Sequence, residues 1–357
     1  MARRPAVTVL GSLNTDISLP VPHLPGPGET VLAAAAATFG AGGKGANQAV
    51  AAARLGAAAR MVGCCGDDEF GARLRAGLEA EGIGVAGLRA IPGVASGLAL
   101  ITVDPAGENS IAVAAGANGL AGAAEVAAAF AEPCDVLVLS AEIPAPVLGA
   151  ALRRARAHGV RTVLNLAPVP DGAAGLLAEC PDWLVVNAQE AAALAGRAPE
   201  GMPRDAPGGP GAEDGAAEDG AAPDGAAGDD AAAGDDAAGG DDAAGETARA
   251  GAVAAGLAAV LDGGHVVVTL GAAGAVLAGP SGTAAVPGFR VTAVDTVGAG
   301  DAFVGALAVV LASGLHPAAA VTAACAAGAA AATRRGAQAA LPRPADVLAA
   351  TGFSWPG

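Results

Sequence analysis

The sequence predicts an α/β protein: a central, mainly parallel β-sheet with helices on both faces, and a small second sheet beside it. Three observations carry this reading. Short apolar runs alternate with helical stretches along most of the 357 residues, the rhythm of a parallel sheet wrapped by helices. The rhythm breaks at about 12–39 and 95–114, where strand-like pieces follow one another with no helix between them. One segment, 199–245, has a composition that cannot form a core.

Residues 7–10 are a short apolar run closed by Gly11, as in a buried strand. Residues 46–55 read as a helix, 60–63 as the next strand, and 70–81 as an amphipathic helix ending near Gly82. Residues 97–103 and 110–114 read as a strand pair joined by the turn-rich run Asp104-Pro105-Ala106-Gly107-Glu108-Asn109. Further strands are expected at 136–140, 162–166, 183–186 and 266–270, with helices such as 147–158 between them. Strands separated by helices pair in parallel. The two helix-free stretches are expected to form the small sheet, a lid over the main body.

The net charge of −16 is not evenly spread. Residues 199–247 hold 14 acidic residues and one basic residue, Arg204, which leaves the remainder at 21 acidic and 18 basic. The body is nearly balanced and has no basic face for nucleic acid. Tyrosine is absent and aromatics are 2% of the chain, too few for base-stacking platforms. The acidic segment repeats Gly-Ala-Ala with paired acids and has almost no large apolar residue, so burial cannot offset its ordering entropy. A disordered surface insert is expected over 199–245, with helix resuming at about Glu246. A cation- or partner-binding acidic loop is the alternative, although the spacing lacks an EF-hand ligand pattern.

Apolar residues make up 53% of the chain, much of that alanine, which overstates the core. The five cysteines, Cys64, Cys65, Cys134, Cys180 and Cys325, are odd in number and show no CxxC spacing; reduced thiols in a cytoplasmic protein are expected. No apolar signal core follows Met1-Ala2-Arg3-Arg4-Pro5. The alanine-rich run 318–332 is too short to span a membrane.

The chemistry concentrates in three segments. In Val294-Asp295-Thr296-Val297-Gly298-Ala299-Gly300-Asp301 a strand end enters a small-residue turn and then a helix. Backbone N–H groups of Gly298, Ala299 and Gly300 at that helix start, with the helix dipole, make an anion hole suited to phosphate. Asp301 then lies in the first turn, where its carboxylate can take a proton from an attacking hydroxyl; the alternative is an ordinary N-capping aspartate. Phe39-Gly40-Ala41-Gly42-Gly43-Lys44-Gly45-Ala46-Asn47-Gln48 satisfies G-x-G-x-x-G, with Asp67 and Asp68 about 20 residues on, the spacing of a dinucleotide fingerprint. Yet polar Lys44, Asn47 and Gln48 occupy the place where that helix should pack on its sheet, and Gly45 follows Lys44 where a Walker A loop needs Ser or Thr. A glycine loop presenting Lys44 and Asn47 to a polyhydroxylated ligand fits better. Asn14 and Asp16, two apart after the first strand, can pair with vicinal hydroxyls; a plain Asx turn is the alternative. His23, His158, His265 and His316 are scattered, against a histidine metal cluster.

The run Gly42-Gly43-Lys44-Gly45-Ala46-Asn47-Gln48-Ala49 and the run Asp295 to Asp301 resemble, in order and separation, the two signatures of the PfkB carbohydrate kinases. Gly11-Ser12-Leu13-Asn14-Thr15-Asp16, Gly107-Glu108-Asn109, Ala115-Gly116-Ala117-Asn118, Thr269-Leu270-Gly271 with Gly274, and Thr333-Arg334-Arg335-Gly336-Ala337-Gln338 extend the resemblance over nearly the whole chain except the acidic insert. It implies one kinase domain over 1–357, an αβα sandwich whose β-sheet lid doubles as a homodimer interface, and ATP-dependent phosphorylation of the ribose 5-hydroxyl. Residue by residue, it implies that Asn14, Asp16, Gly43, Lys44, Asn47 and Glu142 hold the sugar and that Asp301 is the base. It implies that Asn187, Thr269, Gly271, Gly274 and Gly300 contact ATP, with Cys325 near the adenine. Asp295, Val297, Ala331, Arg334 and Gly336 would surround an activating monovalent cation, potassium, mostly through carbonyls. Magnesium would ride on the ATP phosphates, and Asn187 with Glu190 resembles the Asn-x-x-Glu motif tied to it. Three positions depart from the family: Ala340, often Ser near the cation; Cys325, often His or Asn; and Ala114, often His in the lid. Deoxyribose, fructose or a nucleoside are alternative substrates, though a nucleoside site should carry stacking aromatics, and those are scarce. A nicotinamide dehydrogenase built on the glycine loop leaves Gly298 to Asp301 unexplained, and an intact Asp301 argues against a non-catalytic sugar-binding regulator.

Overall fold

The computed structural model describes residues 3–106, 108–196 and 239–356. Most of the segment expected to be disordered, 199–245, lies outside the described residues.

Strand β1 (Ala6–Leu10) leads into β2 (Asn14–Pro20) and β3 (Thr38–Gly42), followed by α1 (Lys44–Arg54), β4 (Ala58–Gly66), α2 (Glu69–Ala80) and β5 (Gly84–Ile91). Then come β6 (Gly97–Val103), β7 (Asn109–Ala114), α3 (Ala123–Ala129), β8 (Val136–Ser140), α4 (Ala145–His158), β9 (Arg161–Asn165), α5 (Ala173–Ala178), β10 (Trp183–Asn187) and α6 (Ala188–Ala195). The C-terminal part holds α7 (Gly239–Val260), β11 (His265–Thr269), β12 (Gly274–Gly279), β13 (Gly282–Pro287), α8 (Ala299–Ala312), α9 (Pro317–Ala332), α10 (Ala337–Ala340) and α11 (Pro344–Thr351).

Nine strands form the main sheet in the order β13-β12-β11-β10-β9-β8-β1-β4-β5. The strands from β5 through β11 are parallel, and β12 and β13 close one edge antiparallel. The parallel strands are apolar on both faces because both are covered. In β8, Val136 and Val138 join the core shared with α1, α2, α8, α9 and α11, while Leu137 and Leu139 face the core shared with α3 to α7. The period-two alternation of side chains sorts one strand into two cores. The small sheet has the order β3-β2-β6-β7, built from the two helix-free stretches as the sequence predicted.

The structure differs from the sequence reading at several points, among them the buried strand β12, which that reading did not name. Strands β5 and β13 lie at the sheet edges, where partial exposure removes the apolar run that marks a buried strand. Helix α7 starts at Gly239 rather than about Glu246. And β3 pairs antiparallel with β2 in the small sheet, so the glycine loop follows no parallel strand of the main sheet and the dinucleotide spacing is coincidental.

Alanine richness finds its use in α8 and α9, where small residues let helices approach closely. A Cβ built on Gly305 of α8 would lie 2.6 Å from the Ala51 Cβ and 2.7 Å from the Gln48 carbonyl oxygen of α1. The parallel strands β1, β8, β9, β10 and β11 all end at one edge, with Leu10 aligned to Leu139, Ser140 to Asn165, and Asn187 to Thr269. Strand β1 lies between β4 and β8, and the crevice outside such carboxyl ends is where open α/β sheets place ligands. Among the described residues no helix is long and apolar enough to cross a membrane.

Gly305→Ala tests the close approach. Helix propensity favours alanine by about 1 kcal/mol, but overlap with a neighbouring backbone costs about 1–3 kcal/mol. The expected result is a lower urea midpoint; an unchanged or higher one would show that α1 and α8 are not in forced contact.

Candidate active site

The N-termini of α1 and α8 meet at the carboxyl edge of the sheet. Helix α1 starts at Gly43 in the left-handed region (φ 85°). It seats directly on the β1–β2 loop, where a Cβ on Gly45 would lie 2.6 Å from the Ser12 nitrogen. Helix α8 is capped by Gly298 (φ 80°), with Asp301 two residues inside the helix. Asp301 is therefore not the N-cap. Its Oδ2 accepts a hydrogen bond from Asn47 Nδ2 at 2.8 Å and its Oδ1 one from Gln48 Nε2 at 3.0 Å.

The expected sugar-side residues come together next to it. Buried Asn118 accepts from the Leu13 N–H at 3.0 Å and donates through Nδ2 to the Leu13 carbonyl at 3.0 Å and to Asn14 Oδ1 at 2.8 Å. That fixes the Asn14 amide, leaving Nδ2 as its available donor. Glu142 Oε2 accepts from Ser12 Oγ at 2.5 Å and from the Lys44 N–H at 3.0 Å, and its Oε1 lies 3.8 Å from Lys44 Nζ. Asp16 is pushed up to about 6, chiefly by burial and then by the charges of Glu142 and Asp301, against the pull of Lys44. Burial also raises Asp301 above the ordinary carboxylate range, opposed by Lys44, Asn47 and Gln48. Burial disfavours the Lys44 charge, but Asp301, Glu142, Glu190 and Asp16 outweigh it and hold the ammonium above its ordinary value. One lysine among four carboxylates leaves the cleft acidic and ready to accept protons.

The start of α8 supplies donors. Ala299 N–H is engaged by the Thr296 carbonyl at 3.1 Å. Of the expected set Gly298, Ala299 and Gly300, the middle donor is thus engaged in the turn that caps the helix. Among the described residues, the N–H groups of Gly298, Gly300 and Asp301 have no backbone partner. Gly298 is glycine because its φ requires it. A Cβ on Gly300 would meet nothing within 4 Å, and its φ is ordinary, so nothing in the protein demands glycine there.

Asn187 and Glu190 form a reciprocal capping box on α6, each bond 2.8 Å. One oxygen of each side chain is thereby used in capping, and Glu190 Oε1 remains. Thr269, paired with Asn187 at the strand ends, and the turn glycines Gly271 and Gly274 lie on the β11–β12 connection. Cys325 lies on α9 in the apolar core, 7% exposed, its thiol pushed up to about 12 by burial; it offers a ligand little surface. For the cation, Asp295 links two loops, accepting from the Val297 N–H at 3.0 Å and the Gly336 N–H at 2.8 Å. The Ala331 carbonyl already accepts from the Arg334 N–H at 3.1 Å, and the Arg334 guanidinium pairs with Asp346 at 2.5 Å. Asp295 thus ties the 295–297 turn to the loop at Gly336. Ala340 is buried and brings no hydroxyl. Among the described residues no group of three or more His, Cys, Asp or Glu is set to hold a metal. Ser12, Gln48, Asn118 and Asn165 are site residues that sequence reasoning did not single out. Gln48 carried a signal in its polar character inside the glycine run, and Ser12 and Asn118 lie in runs that share the family resemblance; Asn165 carried none.

The sequence profile described as pfkB family carbohydrate kinase matches residues 4–205 and 236–344. Ribokinase of Schizosaccharomyces pombe is 33% identical over 316 residues, 86% of each chain. Deoxyribokinase of Salmonella typhi is 31% identical over 307 residues, 85% of this chain and 84% of that one. The crystal structure of ribokinase from Thermotoga maritima aligns with a TM-score of 0.74 at 30% identity, covering 97% of this chain and 98% of that one.

Gly300→Ala separates a ligand-driven glycine from a structural one. Alanine inside a helix should leave the fold as stable or stabilise it by about 0.5–1 kcal/mol, while kcat/KM for the nucleotide falls at least ~10-fold as the methyl displaces the phosphate. Unchanged nucleotide kinetics would remove Gly300 from the site.

Proposed function

The chain belongs to the pfkB family of carbohydrate kinases, and from that premise we propose that it transfers the γ-phosphoryl group of ATP to the 5-hydroxyl of D-ribose with Asp301 as general base. It is a sugar kinase; the proposal concerns which sugar and which residues. The observation that carries it is the Asp301 carboxylate, clamped by two α1 amides directly beside unpaired N–H groups at the start of α8.

In this reading the sugar lies on the small sheet and α1. Asn14 donates and Asp16 accepts at vicinal hydroxyls, a pairing that favours ribose over a sugar lacking one of them. Lys44, Asn47, Gly43 and Glu142 complete the cradle. The 5-hydroxyl passes its proton to Asp301 as its oxygen bonds to the γ-phosphorus, and the bond to the bridging oxygen of ADP breaks. The N–H groups of Gly298, Gly300 and Asp301 donate to the phosphate oxygens, where positioning and electrostatics supply most of the catalysis. Asn187, Thr269, Gly271 and Gly274 line the nucleotide side, and the buried Cys325 contributes at most a wall behind the adenine. Magnesium, when bound, would neutralise phosphate charge in this acidic cleft, and Glu190, whose Oε1 is not used in capping, would be the side chain that helps hold it. Potassium would rest on carbonyls of the loops that Asp295 joins.

The small sheet is the lid. Exposed Phe39 and Leu100, both in register with Ile17 and so on one face of that sheet, support pairing of two lids in a homodimer, since exposed apolar surface marks an interaction site. The reduced, mostly buried thiols support a cytoplasmic location.

A panel of ribose, deoxyribose, fructose and nucleosides with ATP and magnesium, with and without potassium, tests the substrate. Ribose should give the highest kcat/KM; turnover of deoxyribose in its place would reassign the sugar. Asp301→Asn should lower kcat at least ~10²-fold, and near-normal turnover would sink its role as base. The pH dependence follows from Asp16. Its folded pKa of about 6 lies above the ordinary 3.8, so the ligand-free protein holds an extra proton between those values and loses stability as pH rises through that window. Sugar recognition needs the ionised form, so kcat/KM for the sugar should fall below about pH 6. A flat profile down to pH 5 would contradict this.

A further inference from the structure

Gln48 forms the middle of a buried chain of amides. Its Nε2 donates both to Asp301 Oδ1 and to Asn165 Oδ1, each at 3.0 Å, and Asn165 Nδ2 donates in turn to the Val185 carbonyl at 3.2 Å. Gln48 is fully buried, and Asn165 ends β9 beneath it. Because β10 fixes Val185, the backbone sets which end of the Asn165 amide faces Gln48. Asn165 then sets which end of Gln48 faces Asp301. Only the N–H end can meet both acceptors, since the carbonyl end would oppose oxygen to oxygen on each side. The Gln48 Oε1 has no hydrogen-bond partner. A buried, unsatisfied amide oxygen costs free energy that an apolar side chain of the same shape would avoid.

From this we infer that Gln48, oriented by Asn165, is a positioning residue that holds the Asp301 carboxylate at the angle and ionisation its proton transfer requires. The inference rests on Asp301 acting as the base. Asn47 grips Oδ2 and Gln48 grips Oδ1, one donor per oxygen. The carboxylate therefore cannot rotate, and each oxygen keeps a second lone pair, one of them for the substrate hydroxyl. Neutral donors fit this role because they favour the ionised form without forming an ion pair that would quench its basicity. The charged groups that act on Asp301 besides these amides are Lys44, Glu142 and Asp16.

The test compares Gln48→Met, Gln48→Glu and Asp301→Asn in the full chain. Methionine matches glutamine in shape, lacks the donor and removes the unsatisfied oxygen. It should keep or raise the melting temperature while lowering kcat ~10-fold or more, with KM for the sugar changed by less than about threefold. The acid limb of kcat should move up by about one pH unit, because one donor to the ionised carboxylate is gone. Gln48→Glu should move that limb further, as two carboxylates compete for one proton. A lower melting temperature with kcat and its acid limb unchanged would mean that Gln48 only fills the core, which overturns the inference. If Asp301→Asn abolishes turnover while both Gln48 variants keep the wild-type pH profile, the positioning role fails and the base stands. If Asp301→Asn retains turnover, both fail.

Discussion

The close approach of α1 and α8 is the constraint on which the site depends. At Gly305 the backbone of one helix lies against Ala51 and Gln48 of the other, with no room for a methyl group. That contact brings Asn47 and Gln48 within hydrogen-bond reach of Asp301, 254 and 253 residues away in sequence. Interiors pack as densely as organic crystals, so separating the helices by one methyl would break two hydrogen bonds whose geometry leaves no slack. The alanine and glycine content of α8 and α9, which adds little buried area, serves here to set distance.

Electrostatics follow from the same convergence. Asp16, Glu142, Glu190 and Asp301 all act on Lys44, and burial raises three of those carboxylates, Asp16, Glu190 and Asp301. Repelling acids are costly in an apolar setting. The cost is borne by a double core: each parallel strand feeds one face to α1, α2, α8, α9 and α11 and the other to α3 through α7, which holds the strand ends firmly at one edge.

Several roles changed meaning in three dimensions. Asp301, by spacing alone, could have been a helix cap; Gly298 takes that position, and Asp301 is free to be gripped from α1. Ala299, expected among the anion-hole donors, spends its N–H on Thr296. Asn187 and Glu190 cap α6 with each other, which restricts what either can offer a nucleotide. Cys325, expected near the adenine, lies in the apolar core. Each outcome depends on where a hydrogen bond goes, and one-dimensional spacing does not specify that.

Residues in contact along the chain write their physics into local pattern. The apolar runs announced the parallel strands, the missing helices announced the small sheet, and glycines next to Lys44 and Asp301 announced two helix starts. Edge strands β5 and β13 were silent because exposure on one side erases the apolar run. The orientation of side-chain amides was silent too. Asn118 fixes Asn14, and Asn165 fixes Gln48, through partners more than a hundred residues away. A polar residue's type states only what it can donate and accept; which end faces which neighbour is decided when the tertiary structure closes around it and every buried donor must find an acceptor.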